Sequence, residues 1–347
     1  MKKIFVAGGA GFIGSNFIRH VMNERLDVQI VNFDALTYAG NLENLADVSD
    51  GGRYSFIHGS VADAGAVTAA MRGCDAVVNF AAESHVDRSI EDAADFMETN
   101  LRGAYNVLNA ARNLAVERVL HISTDEVYGP ATKENPRREG DAFLPRSPYA
   151  VSKAAGDMMC HAFAETYGLQ VVVARPANNV GPYQYPEKAI PLFVTNALDG
   201  EPLPVYGEGL QIRDRLYVED SVRALLLLLE RGERGEAYNI QADNHVSNIE
   251  VARAILDILD KPYDLIQFVD DRAGHDPCYY MDWSKLRVLG WQPEHDFNTA
   301  IERTVRWYAE HRSWWEPIKS GEFRRYYERQ YAERLAKAHP YEPASQA

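Results

Sequence analysis

The sequence predicts an α/β protein with a doubly wound parallel sheet, and three observations support this class. Short apolar segments alternate with helical segments along the first half of the chain, as strands joined by crossover helices do. A glycine-rich turn separates the first strand from the first helix, and an acidic residue ends the second strand. The carboxyl ends of parallel strands share one edge of such a sheet, so we expect a ligand site there.

The first strand and the turn after it predict a dinucleotide site. "KIFVA" at 3–7 runs into "GGAGFIG", which places Gly8, Gly11 and Gly14 before the helical stretch "SNFIRHVMNER". Glycines let the backbone approach a pyrophosphate, and the amino end of the helix offers free N–H groups. The second strand, "VQIVNFD", ends at Asp34, about twenty residues further on, where a carboxylate binds both ribose hydroxyls and repels a 2′-phosphate. The predicted cofactor is therefore NAD rather than NADP.

Later strands bring further polar groups to the same edge. We expect them in "YSFI" from 54, "AVVNFAA" from 76, "RVLHIS" from 118 and "QVVVARP" from 170. The fourth strand leads into Ala81, Ala82, Glu83, Ser84 and His85, and the fifth into Thr124, Asp125 and Glu126 of "HISTDEVYG". Neighbouring acids after a strand often form turns or cap helices. A catalytic role at the crevice is the alternative interpretation.

A tyrosine and a lysine one helical turn apart strengthen the catalytic interpretation. In "PRSPYAVSKAAGD", Tyr149 and Lys153 are four residues apart, so both project from one face of the helix that Pro148 begins. A cation beside a phenol lowers the pKa of the phenol, which makes tyrosine a usable base near neutral pH. The lysine can also hold the nicotinamide ribose. The spacing alone arises by chance on solvated helices, but here it follows a predicted NAD turn.

Composition and charge exclude several classes of protein. A formal net charge of −14 opposes extended contact with nucleic acid or anionic lipid, although a local group of Arg and Lys can still bind a small phosphate ligand. No apolar run is long enough to span a bilayer, and glycines interrupt the apolar start "MKKIFVAGGAGF", unlike a signal peptide. Three scattered cysteines show neither a disulfide framework nor metal-ligand spacing, so we expect no metal site and a cytoplasmic location.

Together these motifs resemble the extended short-chain dehydrogenase/reductase superfamily, and within it the family of dTDP-glucose 4,6-dehydratases. The resemblance continues through "NNVGPYQYPEKAIPLFV", "VYGEGLQIRDRLYVEDSVRA" and "DRAGHD", and covers roughly residues 3 to 320. The glycine turn and the tyrosine–lysine pair belong to the whole superfamily, whereas the Thr-Asp-Glu triplet is the specific element. The implied fold is a Rossmann-type sheet with a smaller, mixed α/β C-terminal domain that binds the substrate.

The resemblance implies conversion of dTDP-glucose to dTDP-4-keto-6-deoxyglucose and water, a step of deoxysugar biosynthesis such as a rhamnose pathway. Tyr149 takes the 4-hydroxyl proton while hydride passes from C4 to NAD⁺, and Thr124 binds the forming carbonyl. Elimination of water across C5 and C6 needs a base and an acid side by side, and the implied roles are Glu126 as base and Asp125 as acid. Return of the hydride to C6 regenerates a tightly held NAD.

Other functions stay open at this level. A 4,6-dehydratase of another nucleotide sugar, such as UDP-glucose, would share the motifs. A nucleotide-sugar 4-epimerase would share most of them, but it eliminates nothing and needs no acid–base pair after the threonine. A catalytically silent NAD-binding sensor on the same fold would have lost Tyr149 or Lys153, and both are present.

The resemblance also implies which residues bind the two ligands. The expected cofactor-binding residues are Gly8, Gly11, Phe12, Ile13, Gly14, Asp34, Ala35, Leu36, Thr37, Ser60, Val61, Ala81, Ala82, Glu83, Ser84, Thr99, Tyr149, Lys153 and Asn179. The expected substrate-binding residues are His85, Thr124, Asn178, Lys188, Ala189, Ile190, Pro191, Leu192, Pro204, Val205, Tyr206, Arg213, Asn248, Arg272 and His275. Arg213 and Arg272 can each offer a forked donor to phosphate, or form ordinary surface ion pairs. Ser60 stands where the family usually has an acid that binds adenine, so this contact changes to a hydroxyl.

Two domains and a tail are expected. Residues 1–175 plus about 214–241 form the NAD-binding domain, about 176–213 plus 242–330 bind the nucleotide sugar, and 331–347 form a frayed tail. Amphipathic helices near 94–114 and 149–167 are expected, by resemblance and symmetry, to pair across a two-fold axis as the four-helix interface of a homodimer.

Overall fold

The computed structural model describes residues 1–48 and 52–341. In chain order its strands are β1 (Lys3–Ala7), β2 (Gln29–Asp34), β3 (Tyr54–His58), β4 (Ala76–Asn79), β5 (Arg118–Ile122), β6 (Val171–Pro176), β7 (Asn178–Val180), β8 (Leu203–Tyr206), β9 (Ile212–Tyr217), β10 (Ala237–Ile240), β11 (His245–Ser247), β12 (Ile266–Val269) and β13 (His339–Pro340). Its α-helices are α1 (Phe12–Glu24), α2 (Ala64–Met71), α3 (Val86–Glu91), α4 (Ala94–Phe96), α5 (Ala104–Asn113), α6 (Pro148–Tyr167), α7 (Ala189–Asp199), α8 (Val218–Arg231), α9 (Asn248–Leu259), α10 (Ser284–Val288), α11 (Phe297–Glu310), α12 (Arg312–Ile318) and α13 (Glu322–Ala336).

A seven-stranded parallel sheet forms the centre of the protein. Its strand order is β10-β6-β5-β4-β1-β2-β3, and every neighbouring pair is parallel. The register aligns Ala7 with Asn79 and Asn79 with His121, so β1, β4 and β5 end at the same level. The loops after these strands therefore meet at one edge, as the sequence predicts, and the predicted Rossmann-type class is confirmed.

Two apolar layers cover the two faces of this sheet. Ile4 and Val6 of β1 pack into one cluster with α1 and α8, whereas Phe5 and Ala7 pack into the other with α5 and α6. Successive side chains of a strand point to opposite faces, so a strand buried on both sides reads as a continuous apolar run. This is why "KIFVA" shows no polar alternation.

A smaller region packs beside the large sheet. It contains two three-stranded sheets, β11-β9-β7 and β13-β12-β8, and a third apolar cluster that includes residues of α7, α9 and α11. The chain returns to the large sheet through α8, which packs against α1, and through β10. The return expected near 214 thus falls inside β9, a strand of the smaller region. The division into two domains stays a prediction.

Two segments differ from the simple expectation. The helix expected near 94–114 consists of α4, a π-helical turn at Met97–Gly103, and α5. A frayed tail is expected from residue 331, but α13 extends through this position to Ala336, and Tyr331 is buried against Leu192 and Phe323. The pairing of β13 with β12 then holds 339–340 against the smaller region. Residues 342–347 of the expected tail lie outside the described residues.

Within residues 1–48 and 52–341, no helix has both the length and the apolar character needed to cross a membrane.

Candidate active site

The glycine-rich turn forms a cradle at the amino end of α1. Gly8 has a φ of +75°, and a Cβ at this position would lie 2.5 Å from the backbone nitrogen of Ala81. A Cβ on Gly14 would lie 2.3 Å from the carbonyl oxygen of Gly8. Only glycine fits at either position. Gly11 caps α1 without a side-chain hydrogen bond, so first-turn N–H groups can meet an anion such as a pyrophosphate.

Asp34 lies at the carboxyl end of β2, directly beside this cradle. Its Oδ2 accepts a hydrogen bond from the Ala10 N–H at 2.9 Å, and its Oδ1 accepts one from the Leu36 N–H at 2.8 Å. Burial raises the pKa of Asp34, while the two N–H donors act in the opposite direction. Each oxygen of an ionised carboxylate can accept a further hydrogen bond, which suits a pair of ribose hydroxyls.

The Thr-Asp-Glu triplet leaves β5 and enters a 3₁₀ helix at Asp125–Tyr128. Thr124 is the N-cap: its Oγ1 accepts a hydrogen bond from the Glu126 N–H at 3.3 Å and donates one to Asp125 Oδ1 at 3.0 Å. The threonine therefore supplies the cap, and turn formation does not account for the two carboxyl groups. Asp125 is buried, and Glu126 is half-buried.

The two acids have different electrostatic surroundings. Burial and the neighbouring Glu126 raise the pKa of Asp125 to about 7, with only partial relief from the Thr124 hydrogen bond and Arg213. Burial also raises the pKa of Glu126, but Arg272, Arg213 and Lys188 all act to lower it. Three cations thus favour the ionised form of Glu126, whereas Asp125 holds its proton near neutral pH.

Tyr149 and Lys153 share one face of α6, as predicted, and both are buried. Burial and the charges of Glu126 and Asp125 raise the pKa of Tyr149, and a hydrogen bond with Thr124 opposes them. Burial lowers the pKa of Lys153 to about 8, and its Nζ donates to the Ile122 carbonyl at 2.5 Å. The expected lowering of the Tyr149 pKa by the lysine is not part of this arrangement, because the ammonium group is held by a strand carbonyl.

One cavity brings most of the predicted catalytic and cofactor residues together. The predicted residues that line it are Gly8, Gly11, Phe12, Ile13, Gly14, Ala82, Ser84, Thr124, Asp125, Glu126, Tyr149, Lys153, Asn178, Asn179 and Lys188. Segments that follow β1, β2, β4, β5 and β6 meet here because these strands of the large sheet end at one edge, and α6 and β7 complete the wall. The cavity therefore contains both the glycine cradle and the acid pair.

Other predicted cofactor residues do not line this cavity. They are Asp34, Ala35, Leu36, Thr37, Ser60, Val61, Ala81, Glu83 and Thr99. Ser60 is exposed, and its Oγ accepts a hydrogen bond from the Ala62 N–H at 3.2 Å, so it forms a local turn. Thr99 lies in the π-helical turn next to Asn100. The sequence analysis missed Asn100, whose side chain bonds both backbone groups of Glu83 and the Ser152 hydroxyl.

Three predicted cations contribute positive charge around Glu126. Lys188 donates from Nζ to the Ser84 carbonyl at 2.5 Å, and burial lowers its pKa. Arg213 is buried and donates to the carbonyls of Ile212 and Asp276 at 2.7 and 2.8 Å. Arg272 pairs with Asp87 at 3.2 Å, and both side chains are largely buried rather than at the surface. Its role as a phosphate donor stays a prediction.

The remaining predicted substrate residues divide into two groups. His85 has an unpartnered Nδ1 within the described part of the chain, and Tyr206, Asn248 and His275 take part in polar networks next to Arg272. A second group begins α7 or forms β8: Ala189, Ile190, Pro191, Leu192, Pro204 and Val205. The Val205 side chain is fully buried in the core of the smaller region, so only its backbone can meet a ligand.

The comparisons with known proteins agree with this geometry. A family model described as GDP-mannose 4,6 dehydratase matches residues 5–304, which is most of the chain. The chain belongs to this family. Among curated members, the dTDP-glucose 4,6-dehydratase of Shigella flexneri is similar at 48% identity, over 95% of this chain and 99% of that protein.

Solved structures share the fold of this member of the GDP-mannose 4,6 dehydratase family. A dTDP-glucose 4,6-dehydratase from Streptomyces venezuelae, crystallised with NAD bound, has a TM-score of 0.89 at 46% identity and covers 91% of this chain and 100% of its own. A UDP-glucose 4-epimerase from Thermus thermophilus, in complex with NAD, has a TM-score of 0.83 at only 29% identity, with 89% and 99% covered. The resemblance to dTDP-glucose 4,6-dehydratases is therefore confirmed.

This member of the family has cavity residues that the motifs did not reveal. They are Ala39, Phe80, Ile122, Ser123, Pro176, Ala177, Gln184, Tyr185 and Glu187. Glu187 is buried and pairs with Arg88 at 3.1 Å, while the Arg88 guanidinium lies over the rings of Tyr38 and Tyr326. Glu187 lies within the segment "NNVGPYQYPEKAIPLFV" that carries the resemblance, directly before Lys188, but no role was predicted for it.

The last helix is a second feature that the motifs missed. Gln330 on α13 donates to the Tyr206 hydroxyl at 2.8 Å, and Tyr331 stacks on the Tyr206 ring. Tyr206 in turn donates to Asp87 at 2.9 Å, and Tyr326 lies edge-on to His85. Tyr331, the first residue of the expected tail, thus completes the surroundings of predicted substrate residues together with Tyr326 and Gln330 of the expected nucleotide-sugar region.

Proposed function

We propose that this protein acts as a dTDP-glucose 4,6-dehydratase, which releases dTDP-4-keto-6-deoxyglucose and water. The observation that carries the proposal is the acid pair Asp125 and Glu126, held by Thr124 at the end of β5 in the cavity that also contains Tyr149 and the glycine cradle. An oxidoreductase that removes no water needs only a base for the hydroxyl proton. A pair of neighbouring carboxyl groups suits the additional elimination step.

The residues around the cradle fit NAD. Gly8 and Gly14 leave a space that a Cβ would fill, and Asp34 offers carboxylate oxygens beside it. Asn179 adds a buried Oδ1 in the cavity wall, unpartnered within the described part of the chain. Bound NAD supplies a hydride acceptor for C4 of the hexose and, later, the hydride donor for C6. Because the acid at Asp34 disfavours a 2′-phosphate, NAD is the expected form, regenerated in each turnover.

Tyr149 and Thr124 act on the 4-hydroxyl of the hexose. Tyr149 takes the hydroxyl proton as hydride leaves C4. The Thr124 hydroxyl, which donates its single proton to Asp125 Oδ1 in the structure, turns to donate it to the sugar oxygen as that oxygen becomes a carbonyl. The raised pKa of Tyr149 keeps the phenol protonated until positive charge approaches it. Lys153 lies on the same face of α6 and would hold the nicotinamide ribose.

Glu126 and Asp125 share the elimination. Lys188, Arg213 and Arg272 favour an ionised Glu126, which removes the proton from C5 once the 4-keto group has acidified it and returns a proton to C5 when C6 is reduced. Asp125, with its pKa raised to about 7, donates a proton to the leaving 6-hydroxyl. The electrostatics therefore support the division of roles that the family resemblance implies. The same cations also suit the diphosphate of the nucleotide.

The deciding experiment uses the purified protein without added NAD. It is incubated with dTDP-glucose, UDP-glucose and GDP-mannose, and the products are identified by NMR. We expect a 4-keto-6-deoxy product from dTDP-glucose, formed by NAD that copurifies. Recovery of a C4 epimer, or turnover of UDP-glucose alone, would replace the proposal by one of the alternatives raised by the sequence. The absence of any turnover would favour the NAD-binding sensor.

We also propose a homodimer through α5 and α6. Both helices carry apolar side chains with large exposed fractions: Tyr105 at 44%, Val151 at 44% and Met158 at 63%. A four-helix interface between two copies would cover this surface. Sedimentation should show a dimer at micromolar concentration, and Met158→Glu should dissociate it. A monomer in the unmodified protein would remove this part of the proposal.

The cellular context and the domain division are further parts of the proposal. The three cysteines are free thiols, which suits a reducing cytoplasm. The two ligands are expected to occupy separate regions, with NAD on the large sheet and the nucleotide sugar on the smaller region. The product is expected to serve deoxysugar biosynthesis, including a rhamnose pathway.

A further inference from the structure

Arg215 is a buried cation that the reaction proposed above does not use. It lies on β9 two residues after Arg213, so both side chains point to the same face of the strand. Pairing of β9 with β7 places Arg215 beside Asn178, which lines the cavity. Arg215 is only 6% exposed, and its Nε has no hydrogen-bond partner in the described part of the chain. A buried guanidinium in this position needs an explanation, because burial of charge is costly.

A side-chain hydrogen bond from Arg215 fixes the orientation of an amide. Its Nη2 donates to Asn248 Oδ1 at 2.6 Å. A guanidinium has donors but no acceptor, so Asn248 must present its oxygen to Arg215 and its NH₂ group away from it. Without this partner the amide could turn over and exchange donor for acceptor. Arg215 thus determines that Asn248 offers a donor to whatever lies beyond it.

What lies beyond Asn248 is the predicted nucleotide subsite. Asn248 Nδ2 lies 3.4 Å from Gln211 Oε1, and Gln211 Nε2 donates to Asp271 at 3.0 Å. Asp271 in turn contacts His275 Nδ1 at 2.6 Å. The chain of polar contacts therefore runs from Arg215 to a second predicted substrate residue, across segments far apart in the sequence. A donor at its start suits a carbonyl oxygen of a pyrimidine base or a phosphate oxygen.

The charge of Arg215 also interacts with the carboxyl group of Asp125. Burial and Arg213 lower the pKa of Arg215 to about 9, and Asp214 and Asp125 oppose this. Asp214 already accepts hydrogen bonds from the N–H groups of Ala242 and Asn244 at 3.0 and 2.8 Å. The charged and titratable groups that interact with Asp125 include Glu126 on its own segment, Tyr149 on α6, and Arg213, Asp214 and Arg215 on β9. Arg215 is one of two cations in this set.

We propose that Arg215 is a positioning residue that locks the Asn248 amide with its donor toward the nucleotide and places a positive charge behind Asn178, in the wall of the cavity that Asp125 also lines. The inference rests on the proposed function, since it assigns Asn248 to the substrate and Asp125 to the elimination. It links recognition of the nucleotide to the acid that releases water, through a single side chain between the two.

The test replaces Arg215 by methionine in the NAD-loaded protein. Calorimetry with dTDP should show roughly tenfold weaker binding, because a charge-assisted hydrogen bond that orients Asn248 is lost. The rate of water loss is measured against pH by rapid quench and mass spectrometry. Its decrease at high pH, the alkaline limb of the profile, should remain but shift to a pH higher by about half a unit or more, since loss of a cation favours the protonated Asp125. A merely structural defect would lower the rate without moving this limb upward.

Two further variants complete the design. Arg215→Lys keeps the charge but loses the planar fork, so it should weaken dTDP binding and leave the alkaline limb in place. Arg306→Met removes an exposed arginine paired with Glu302 and should change neither quantity. An alkaline limb that stays or moves down in folded Arg215→Met overturns the inference. If that variant does not fold, unchanged dTDP binding in Arg215→Lys overturns it. Failure of the unmodified protein to form the 4-keto-6-deoxy product would instead refute the proposed function.

Discussion

Replacement of Glu126 by glutamine separates the two halves of the proposed reaction. Glutamine has nearly the same shape but cannot accept the C5 proton. Lys188, Arg213 and Arg272 all act to keep Glu126 ionised, so the native side chain is prepared as a base, and the variant loses that function rather than a structural contact. We therefore expect the variant to bind substrate and NAD but to stop before elimination.

The magnitude follows from the role of a general base and from the neighbours of Glu126. Loss of a positioned base slows its step by about 10²–10⁴-fold, which corresponds to roughly 3–5 kcal/mol in the barrier for C5 deprotonation. The hydride step at C4, in contrast, should become easier at low pH. The charge of Glu126 is one cause of the raised pKa of Tyr149, so its removal lowers that pKa and moves the onset of C4 oxidation to lower pH.

The assay follows both steps in one preparation. Near-ultraviolet absorbance reports the reduced cofactor, which should accumulate in Glu126→Gln, and NMR in deuterated water reports exchange at C5, which should nearly vanish. Asp125→Asn is the matched control, because it makes the same chemical change on the neighbouring acid: it should keep C5 exchange and lose water release. Rapid C5 exchange in Glu126→Gln would refute the assignment of the base.

Three other outcomes follow from the structure. Gly8→Ala should lower the NAD content of the purified protein, because its Cβ would lie 2.5 Å from the Ala81 nitrogen. Chromatography of the released cofactor checks this, and a full complement of NAD would contradict it. Asp157→Asn should lower the free energy of unfolding, measured with denaturant, by roughly 3 kcal/mol, because it breaks the buried ion pair in which two Arg175 nitrogens lie 2.8 and 2.9 Å from the carboxylate oxygens. A loss well under this value would mean that the pair contributes little to stability. In the unmodified enzyme the rate of water loss should fall as pH rises through about 7, since Asp125 must be protonated to act as the acid and its pKa is raised to about 7; a rate that keeps rising with pH counts against that role.

Much of the site could be predicted from short stretches of sequence. Gly8 and Gly14 could be predicted because a local turn brings backbone atoms close together. Asp34 could be predicted because the second strand ends at this residue. The spacing of Tyr149 and Lys153 is fixed by the helical repeat. These signals survive in sequence because each depends on neighbours within a few residues or within one strand–helix unit.

Other parts depended on packing between distant segments. The pattern predicted that Lys153 would lower the pKa of Tyr149, but the carbonyl of Ile122, on another strand, holds its ammonium group. Val205 matched the substrate motif, yet its side chain lies in a core built from segments far apart in the sequence. Tyr331 looked like part of a tail and instead stacks on Tyr206.

The sequence by itself determined the α/β class, the edge of the sheet that carries the site, and the identity of the acid pair, because periodicity and strand ends are local properties of the chain. Only the tertiary structure decided the proton affinity of each charged group. Three cations, from the N-cap of α7, from β9 and from the loop before α10, act on Glu126, and Arg215 bonds Asn248, which is 33 residues away in the sequence. The proton affinity of a buried group depends on every charge around it, and those charges come together only when the chain is folded.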